Sequence, residues 1–354
     1  MEFTPRLLLL PFSWLFCFIT RTRNFLYNRG VFKSKSYDLP IISVGNITVG
    51  GTGKTPLTEL LIRTFSPEFR CALLSRGYGR KTKGPVLATE SSTPLSIGDE
   101  PRQMQLKYPT LKVMVAEKRV LGISKLLKLT DPPQVILMDD AYQHRAVNPG
   151  FSILVVDYFR PMHKDFCLPA GNLREPLSGR KRANIMIVNK CPADLTKRES
   201  EIITRKLCPL AHQQIFFSCI DYQPPKKLFK TTEPDTSLSA GKFSKRPILA
   251  VAGIGNPVPF FKEARKYASQ LETLSFRDHH DFTSGDIQKM AHTLKNMGSQ
   301  TIVLTTEKDA VRLKDKDLPL ELSGKTWYIP IELEILFNEQ DTFIKTVEHY
   351  VKKN

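Results

Sequence analysis

Six residues in the stretch "ISVGNITVGGTGKTP" (42–56) have the chemistry of an anion grip. Gly50, Gly51 and Gly53 free backbone N–H groups to close on phosphate oxygens. Thr52 completes the turn, Lys54 can reach the β and γ oxygens of a nucleotide, and Thr55 can offer its hydroxyl to Mg²⁺. The usual spacing, G-x-x-x-x-G-K-[ST], asks for glycine at position 48; Thr48 stands there, so the strict pattern fails. The context holds, because a β-branched run precedes the glycines and a helical pattern opens at Lys54. Thr48, Val49, Gly50, Gly51, Thr52, Gly53, Lys54 and Thr55 are the expected nucleotide-binding loop. A second element, "VILMDDAYQH" (135–144), ends an apolar run on Asp139 and Asp140. A carboxylate holds Mg²⁺ at that place in such sites. Read alone, Asp-Asp after a strand is ordinary turn chemistry.

Three nucleotide-using classes compete for this pair of elements. A GTPase should carry an Asn-Lys-x-Asp base reader, but "NKCP" (189–192) has Pro192 where the acid belongs. A membrane-switching ATPase should carry an extra lysine in its loop, and Val49 occupies that place. A small-molecule kinase needs the loop, Mg²⁺ carboxylates, a base for the acceptor and cations for the acceptor's charge.

The elements that must position these residues alternate along the chain. "PIISV" (40–44), "CALLS" (71–75), "VILMD" (135–139), "SILVVD" (152–157), "ANIMIVN" (183–189) and "QIFFS" (214–218) read as buried strands. Helical patterns fall near 54–65, 99–107, 117–128 and 196–206. That rhythm predicts an α/β fold, a P-loop NTPase-like doubly wound parallel sheet covered on both faces. Residues 222–246 are rich in Pro, Lys, Ser and Thr and read as a linker. The alternation then resumes at 247–253, 271–276, 301–306 and 326–331, with helices near 257–268 and 284–297, as a smaller second α/β domain. The expected division is a segment 1–35, a core 36–225 and the second domain 226–354.

A chain of 354 residues, 41% hydrophobic, is too long for one compact core, in keeping with two domains. The net charge of +17 calls for an acidic partner: nucleic acid, anionic lipid or a phosphorylated substrate, if it is more than a solvated basic surface. Six scattered cysteines lack zinc or Cys-x-x-Cys spacing, which points to a reduced protein without a structural metal. The apolar run Leu7–Ile19, broken by Pro11 and Ser13, is shorter than the ~20 residues of a spanning helix and lacks a signal-peptide cleavage site. Arg21, Arg23, Arg29, Lys33 and Lys35 follow it. Apolar residues beside a basic cluster suit a helix lying in an anionic membrane face; a helix packed on the domain is the alternative.

Further stretches carry a resemblance: "SRGYGR" (75–80), "GDEP" (98–101), "DDAYQHR" (139–145), "LPAGNLREP" (168–176), "AGIGNP" (252–257), "RDHHDF" (277–282) and "TTEKDAV" (305–311). With "GNITVGGTGKTP" they resemble, in order and over most of the chain, the tetraacyldisaccharide 4′-kinases of lipid A synthesis. The resemblance implies ATP- and Mg²⁺-dependent phosphorylation of the 4′-hydroxyl of an acylated glucosamine disaccharide 1-phosphate, giving the bis-phosphorylated lipid A precursor. It implies a peripheral place on the cytoplasmic face of the inner membrane, with that anionic surface and the lipid as partners, no nucleic acid and no obligate protein partner. The basic surplus then has two acidic targets, the bilayer and the substrate's 1-phosphate.

The resemblance also implies roles. Lys54 and Thr55 match the phosphate and Mg²⁺ ligands, and Asp139, Asp140 and Glu175 match the acidic metal-site positions. Asp99 matches the carboxylate that takes the acceptor proton, and His279 the histidine that supports it. Arg76, Arg119 and Arg174 fall where cations would face substrate or transferring phosphate. Ala141-Tyr142 replaces the more usual Gly-Phe and Asn172 the more usual Pro, at positions without chemistry. On the residues alone other readings stay open. Asp99 could cap a helix, and the tandem His279-His280 could be a turn with one packed ring. "SRGYGR" could be a solvated basic turn, and Glu175 a loop salt bridge. Because the loop and the histidines lie on opposite sides of the linker, the second domain is expected to close over the first and exclude water.

Overall fold

The computed structural model describes residues 5–229 and 246–354. The middle of the expected linker, 230–245, lies outside the described residues. Strands β1 (Ile41–Gly45), β2 (Cys71–Ser75), β3 (Val86–Leu87), β4 (Lys112–Val115), β5 (Val135–Met138), β6 (Phe151–Asp157), β7 (Ile185–Asn189) and β8 (Gln214–Tyr222) belong to one sheet. Strands β9 (Lys226–Lys227), β10 (Arg246–Ala252), β11 (Ala268–Ser275), β12 (Ile302–Thr306) and β13 (Thr326–Ile329) form a second, and β14 (Ile331–Ile335) returns to the first. The larger sheet runs β14-β8-β7-β6-β1-β5-β2-β4-β3, with antiparallel pairing only at its two edges. The smaller runs β11-β10-β12-β13-β9, parallel except for β9.

Nine helices of eight or more residues are described: α1 (Leu10–Asn28), α2 (Lys54–Phe65), α3 (Asp99–Lys107), α4 (Arg119–Leu126), α5 (Lys197–Leu207), α6 (Val258–Tyr267), α7 (Ser284–Met297), α8 (Glu307–Lys314) and α9 (Gln340–Lys353). Alternate strand residues feed opposite faces. Ile42 and Val44 of β1 pack with Leu57, Leu61 and Phe65 of α2, while Ile41 packs with Ile123 and Leu126 of α4. Strands buried on both sides read as continuous apolar runs, which is why they were visible in the sequence. In the smaller sheet, α7 covers one face through Met290 and Leu294, and α6 the other through Phe260 and Ala264. Helix starts follow cap chemistry: Thr196 and Thr283 form capping boxes with Glu199 and Asp286.

The expected second unit ran over 226–354, with the segment after about residue 330 open to either unit. The chain crosses back after β13. Strand β14 pairs antiparallel with β8, from Ile331 opposite Tyr222 to Ile335 opposite Ser218. Helix α9 places Phe343, Val347 and Val351 in the larger core. Pro330 supplies the break, since it has no N–H to continue a ladder. Two chain passages, before β9 and after β13, therefore join the two sheets.

The topology puts β1 between β5 and β6, with the chain leaving β1 towards β2 on one side and reaching β6 on the other. Ligands bind at such switch points, outside the carboxyl ends of parallel strands. The loop before α2 and the Asp139-Asp140 turn both leave strands at that end.

Candidate active site

The glycine loop leaves β1 and ends in Gly53, whose φ of 87° is left-handed and open to glycine at little cost. A Cβ there would lie 2.0 Å from Asn189 Nδ2. Asn189 Nδ2 donates to the Thr52 carbonyl at 3.0 Å, and its Oδ1 accepts from Ser218 Oγ at 3.0 Å. Asn46 Nδ2 donates to Thr52 Oγ1 at 3.0 Å. Lys190 Nζ donates to the Gly51 carbonyl and pairs with Asp157. The "NKCP" stretch that fails as a base reader thus braces the loop from below. On the other side the Val49 N–H donates to the Asn172 carbonyl at 2.8 Å, so "LPAGNLREP" is a second brace. Asn172 takes part through its main chain, a contact the more usual Pro can also make.

Lys54 and Thr55 open α2, where the helix dipole favours an anion. Lys54 Nζ lies 3.4 Å from Asp140 Oδ1. Arg174 Nη1 donates to both oxygens of Asp140, at 2.9 and 3.1 Å. Burial raises the Asp140 carboxyl, but Lys54 and Arg174 outweigh it and hold the group below the usual range. Asp139 is buried, and the Thr58 hydroxyl donates to its Oδ1 at 3.4 Å. Burial, with Glu100 and Asp140 adding like charge, pushes it up to about 7. A buried, poorly neutralised acid at the end of a strand is chemically suited to a divalent cation. Among the described residues no group of three or more His, Cys, Asp or Glu could hold a metal. Mg²⁺ takes one or two carboxylates and fills its remaining positions with water and phosphate oxygens. Thr55, Asp139 and Asp140 fit such a donor set.

The second unit reaches this site through α8 and the loop after β11. Gly98, at φ 92°, packs against Gly77 and the Tyr78 carbonyl and turns the chain into Asp99, the first residue of α3. His279 Nδ1 lies 2.9 Å from Asp99 Oδ2. Arg312 donates to the same oxygen, from Nε at 2.8 Å and Nη2 at 2.6 Å. Burial would raise the Asp99 carboxyl; the His279 bond and the Arg312 charge overcome it and lower the group. Next along α3, Glu100 pairs with Lys308 of α8. Lys54 and His279 both act on Glu100 electrostatically, and Glu100 acts on Asp139, so the start of α3 lies between the dyad and the phosphate loop. At the other end of α3, Lys107 bridges Glu59 of α2 and Glu307 of α8.

His280 has a separate place. Its ring stacks on Phe276, 4.7 Å between centroids, and Nε2 meets Asp286 at 2.9 Å. The tandem pair is thus one packed ring and one ring turned to Asp99. His279 itself has a φ of 57°, sparsely populated for a non-glycine residue and found where surroundings over-determine the backbone.

Two expected site residues are engaged by the protein's own groups. Glu175 accepts from both Arg182 nitrogens, at 2.8 and 2.9 Å, from Gln143 at 2.9 Å and from Asn24 of α1 at 2.8 Å. Its lone pairs form a loop-to-helix bracket, the loop salt bridge that stood as the other reading of this residue. Arg119 is 2% exposed, with Nη1 on the Ala116 carbonyl and Nη2 on the Asp139 carbonyl at 3.2 Å. Burial first, then Arg76 and Arg80, lower it to about 10. It supports the Asp139 main chain rather than facing outward. Arg76 is exposed beside it. Glu100, Lys308 and Arg312 were not singled out from sequence; the i, i+3 spacing of Asp309 and Arg312 was the available signal for the last.

A family model described as Tetraacyldisaccharide-1-P 4′-kinase (LpxK) matches residues 5–352. The chain belongs to that family. It is 43% identical, over 98% of its length and 93% of the relative's, to the tetraacyldisaccharide 4′-kinase of Bacteroides thetaiotaomicron. It is 44% identical to that of Flavobacterium johnsoniae, over 99% and 98% of the two chains. The crystal structure of LpxK from Aquifex aeolicus in complex with ATP superposes with a TM-score of 0.75 at 29% identity, covering 98% of this chain and 100% of that one. Lipid A 4′-kinase family membership thus joins a P-loop α/β fold to ATP-dependent kinase activity, and none of these relatives is a switch ATPase or GTPase.

Proposed function

We propose that the chain transfers the γ-phosphate of ATP to the 4′-hydroxyl of a tetraacylated disaccharide 1-phosphate, with Asp99 and His279 handling the acceptor proton. The observation that carries this reading is the position of the α3 start. It presents Asp99 to the second unit and Glu100 to the electrostatic field of Lys54 and Asp139. Acceptor chemistry and phosphate chemistry thereby meet at one short segment.

Phosphoryl transfer needs alignment and charge neutralisation more than covalent help. The loop N–H groups and Lys54 bind and orient the β and γ phosphates, and Arg174 holds the Asp140 carboxylate in place. Thr55, Asp139 and Asp140 would hold Mg²⁺, which when bound neutralises phosphate charge. Asp99 Oδ2 is held by His279 Nδ1, which leaves Oδ1 for the acceptor hydroxyl. There it receives the proton as the new P–O bond forms. Arg76 is placed for an anionic part of the acceptor. The joint between the units excludes water from the transferring group.

The lipid acceptor reaches the site from a membrane face. Helix α1 fastens one side to the core: Ser13 Oγ accepts from Ala170 N–H at 2.8 Å, and Phe16 and Cys17 join the apolar cluster. Its other side leaves Phe12, Trp14, Leu15, Phe18 and Ile19 more than half exposed. No described helix is long and apolar enough to cross a membrane. The inner side fits the packed-helix reading, and the exposed apolar side supports the membrane reading. Exposed Arg21, Arg29, Lys33 and Lys35 flank the apolar side and suit anionic headgroups on the cytoplasmic side of the inner membrane.

Incubation with γ-labelled ATP and acylated disaccharide 1-phosphate in detergent tests the reading. Label on the lipid is expected. ATP hydrolysis stimulated by bare vesicles, with no labelled lipid, would overturn it.

A further inference from the structure

Arg312 has no role in what has been derived so far, yet its guanidinium meets Asp99, His279, Asp309 and Gly253 at the joint between the two units. It is 4% exposed. Its anchorage begins with the sequence Thr306-x-x-Asp309-x-x-Arg312. Thr306 caps α8, its hydroxyl accepting from the Asp309 N–H and donating to Asp309 Oδ2 at 2.7 Å. The same Oδ2 accepts from the Gly253 N–H at 2.8 Å. Oδ1 accepts from Arg312 Nη1 at 2.7 Å, and that nitrogen also reaches the Gly253 carbonyl at 3.1 Å. One edge of the guanidinium is thus fixed inside the second unit. The other edge, Nε and Nη2, crosses to Asp99 of the first unit, with Nη2 also 3.3 Å from His279 Nδ1.

We infer that Arg312 is a positioning residue for phosphoryl transfer: it clamps Asp99 Oδ2 when the units are together and so aims the other oxygen at the acceptor. Three donors converge on Oδ2, and Oδ1 takes part in none of these bonds. A carboxylate gripped on one oxygen cannot rotate, which is the geometric condition for a proton acceptor aligned with a hydroxyl. The guanidinium suits this task because its planar fork bonds Asp309 and Asp99 at once, as a lysine ammonium cannot. It also makes the acceptor's readiness depend on the second unit being in place. The inference rests on the kinase reading of this site.

The charged and titratable groups around Asp99 are Glu100 on its own helix, His279 and Asp278 on the loop after β11, Tyr78 on the loop after β2, and Lys308, Asp309 and Arg312 on α8. Glu100 and Lys308 neutralise each other, and Asp309 is spent on Arg312. Arg312 is therefore the permanent cation that the dyad shares with Asp309. Removing a cation beside a proton-accepting pair favours its protonated form, so the acid limb of the kcat profile moves to higher pH.

The test compares wild type, Arg312→Gln and Arg312→Lys, measuring kcat against pH for lipid phosphorylation, and ATP affinity by direct binding. The glutamine variant should lose about 10²-fold in kcat, the scale of a displaced general base. Its acid limb should rise by roughly 1–3 pH units, with ATP affinity unchanged. The lysine variant should lose less and shift less. If glutamine prevents folding, the lysine variant decides alone. A limb that coincides with wild type in a folded variant, or a kcat that does not fall, overturns the inference while leaving the kinase intact. A wild type that labels no lipid overturns both.

Discussion

Lys54 is held 3.4 Å from Asp140 with its side chain largely covered, so its charge is aimed before any phosphate arrives. Lys54→Ala should cost roughly 10²-fold or more in turnover, by analogy with losing a preorganised donor. Because the ammonium faces the site rather than the apolar core, thermal unfolding should move little; near-native turnover would refute its role. Asp99 and His279 share one bond, and paired groups act as a unit. Asp99→Ala and His279→Ala should each lower kcat while leaving ATP affinity nearly intact. The double variant should lose less than the product of the two losses. Independent, multiplying losses in that cycle would separate the two residues.

At the scale of elements, α1 divides its two sides between protein and surroundings. Its inner side is tied by Ser13, Asn24 and Arg23, whose Nη2 donates to the Gln143 carbonyl at 2.9 Å. Replacing Phe12, Trp14 and Phe18 with serine leaves those ties alone and removes apolar area worth about 1.5–3 kcal/mol per side chain on burial. The triple variant should sediment less with anionic vesicles and show a higher KM for the lipid, with turnover in detergent preserved. Salt should weaken wild-type attachment through the basic residues. Equal sedimentation of the two proteins would mean the exposed side meets something other than a bilayer.

For the whole molecule, the joint between the units is ionic. Asp99 pairs with Arg312, Glu100 with Lys308, and Lys107 with Glu307. The Asp99 and Glu100 carboxyls are both held below their ordinary values, because cationic partners outweigh burial. A depressed carboxyl stabilises the paired state fully above its ordinary value, and that contribution fades as pH falls through the lowered one. The joint should therefore hold at neutral pH and loosen below about pH 4. The distance between fluorophores on α5 and α7, followed against pH, checks this. No change in separation before global unfolding would show that the chain passages, rather than the ion pairs, fix the arrangement.

Patterns local in sequence could be read without coordinates. The buried strands, the glycine loop, the start of α2 and the Asp139-Asp140 turn are set by runs of apolar residues, by glycines and by neighbours a few positions apart. The helix near 284–297 was likewise visible, since its pattern is contained within one segment. What required tertiary structure was partnership across distance. The bracket of Arg182, Gln143 and Asn24 around Glu175, and the place of Arg119 under Asp139, could not be read from spacing. The return of β14 and α9 to the first sheet depended on which edge strand was open, a property of the assembled sheet. Arg312 followed one residue after a motif that was recognised. Its meaning came only from folding, because an arginine's role is set by the carboxylates brought within 3 Å of it, and Asp99 lies on the other unit.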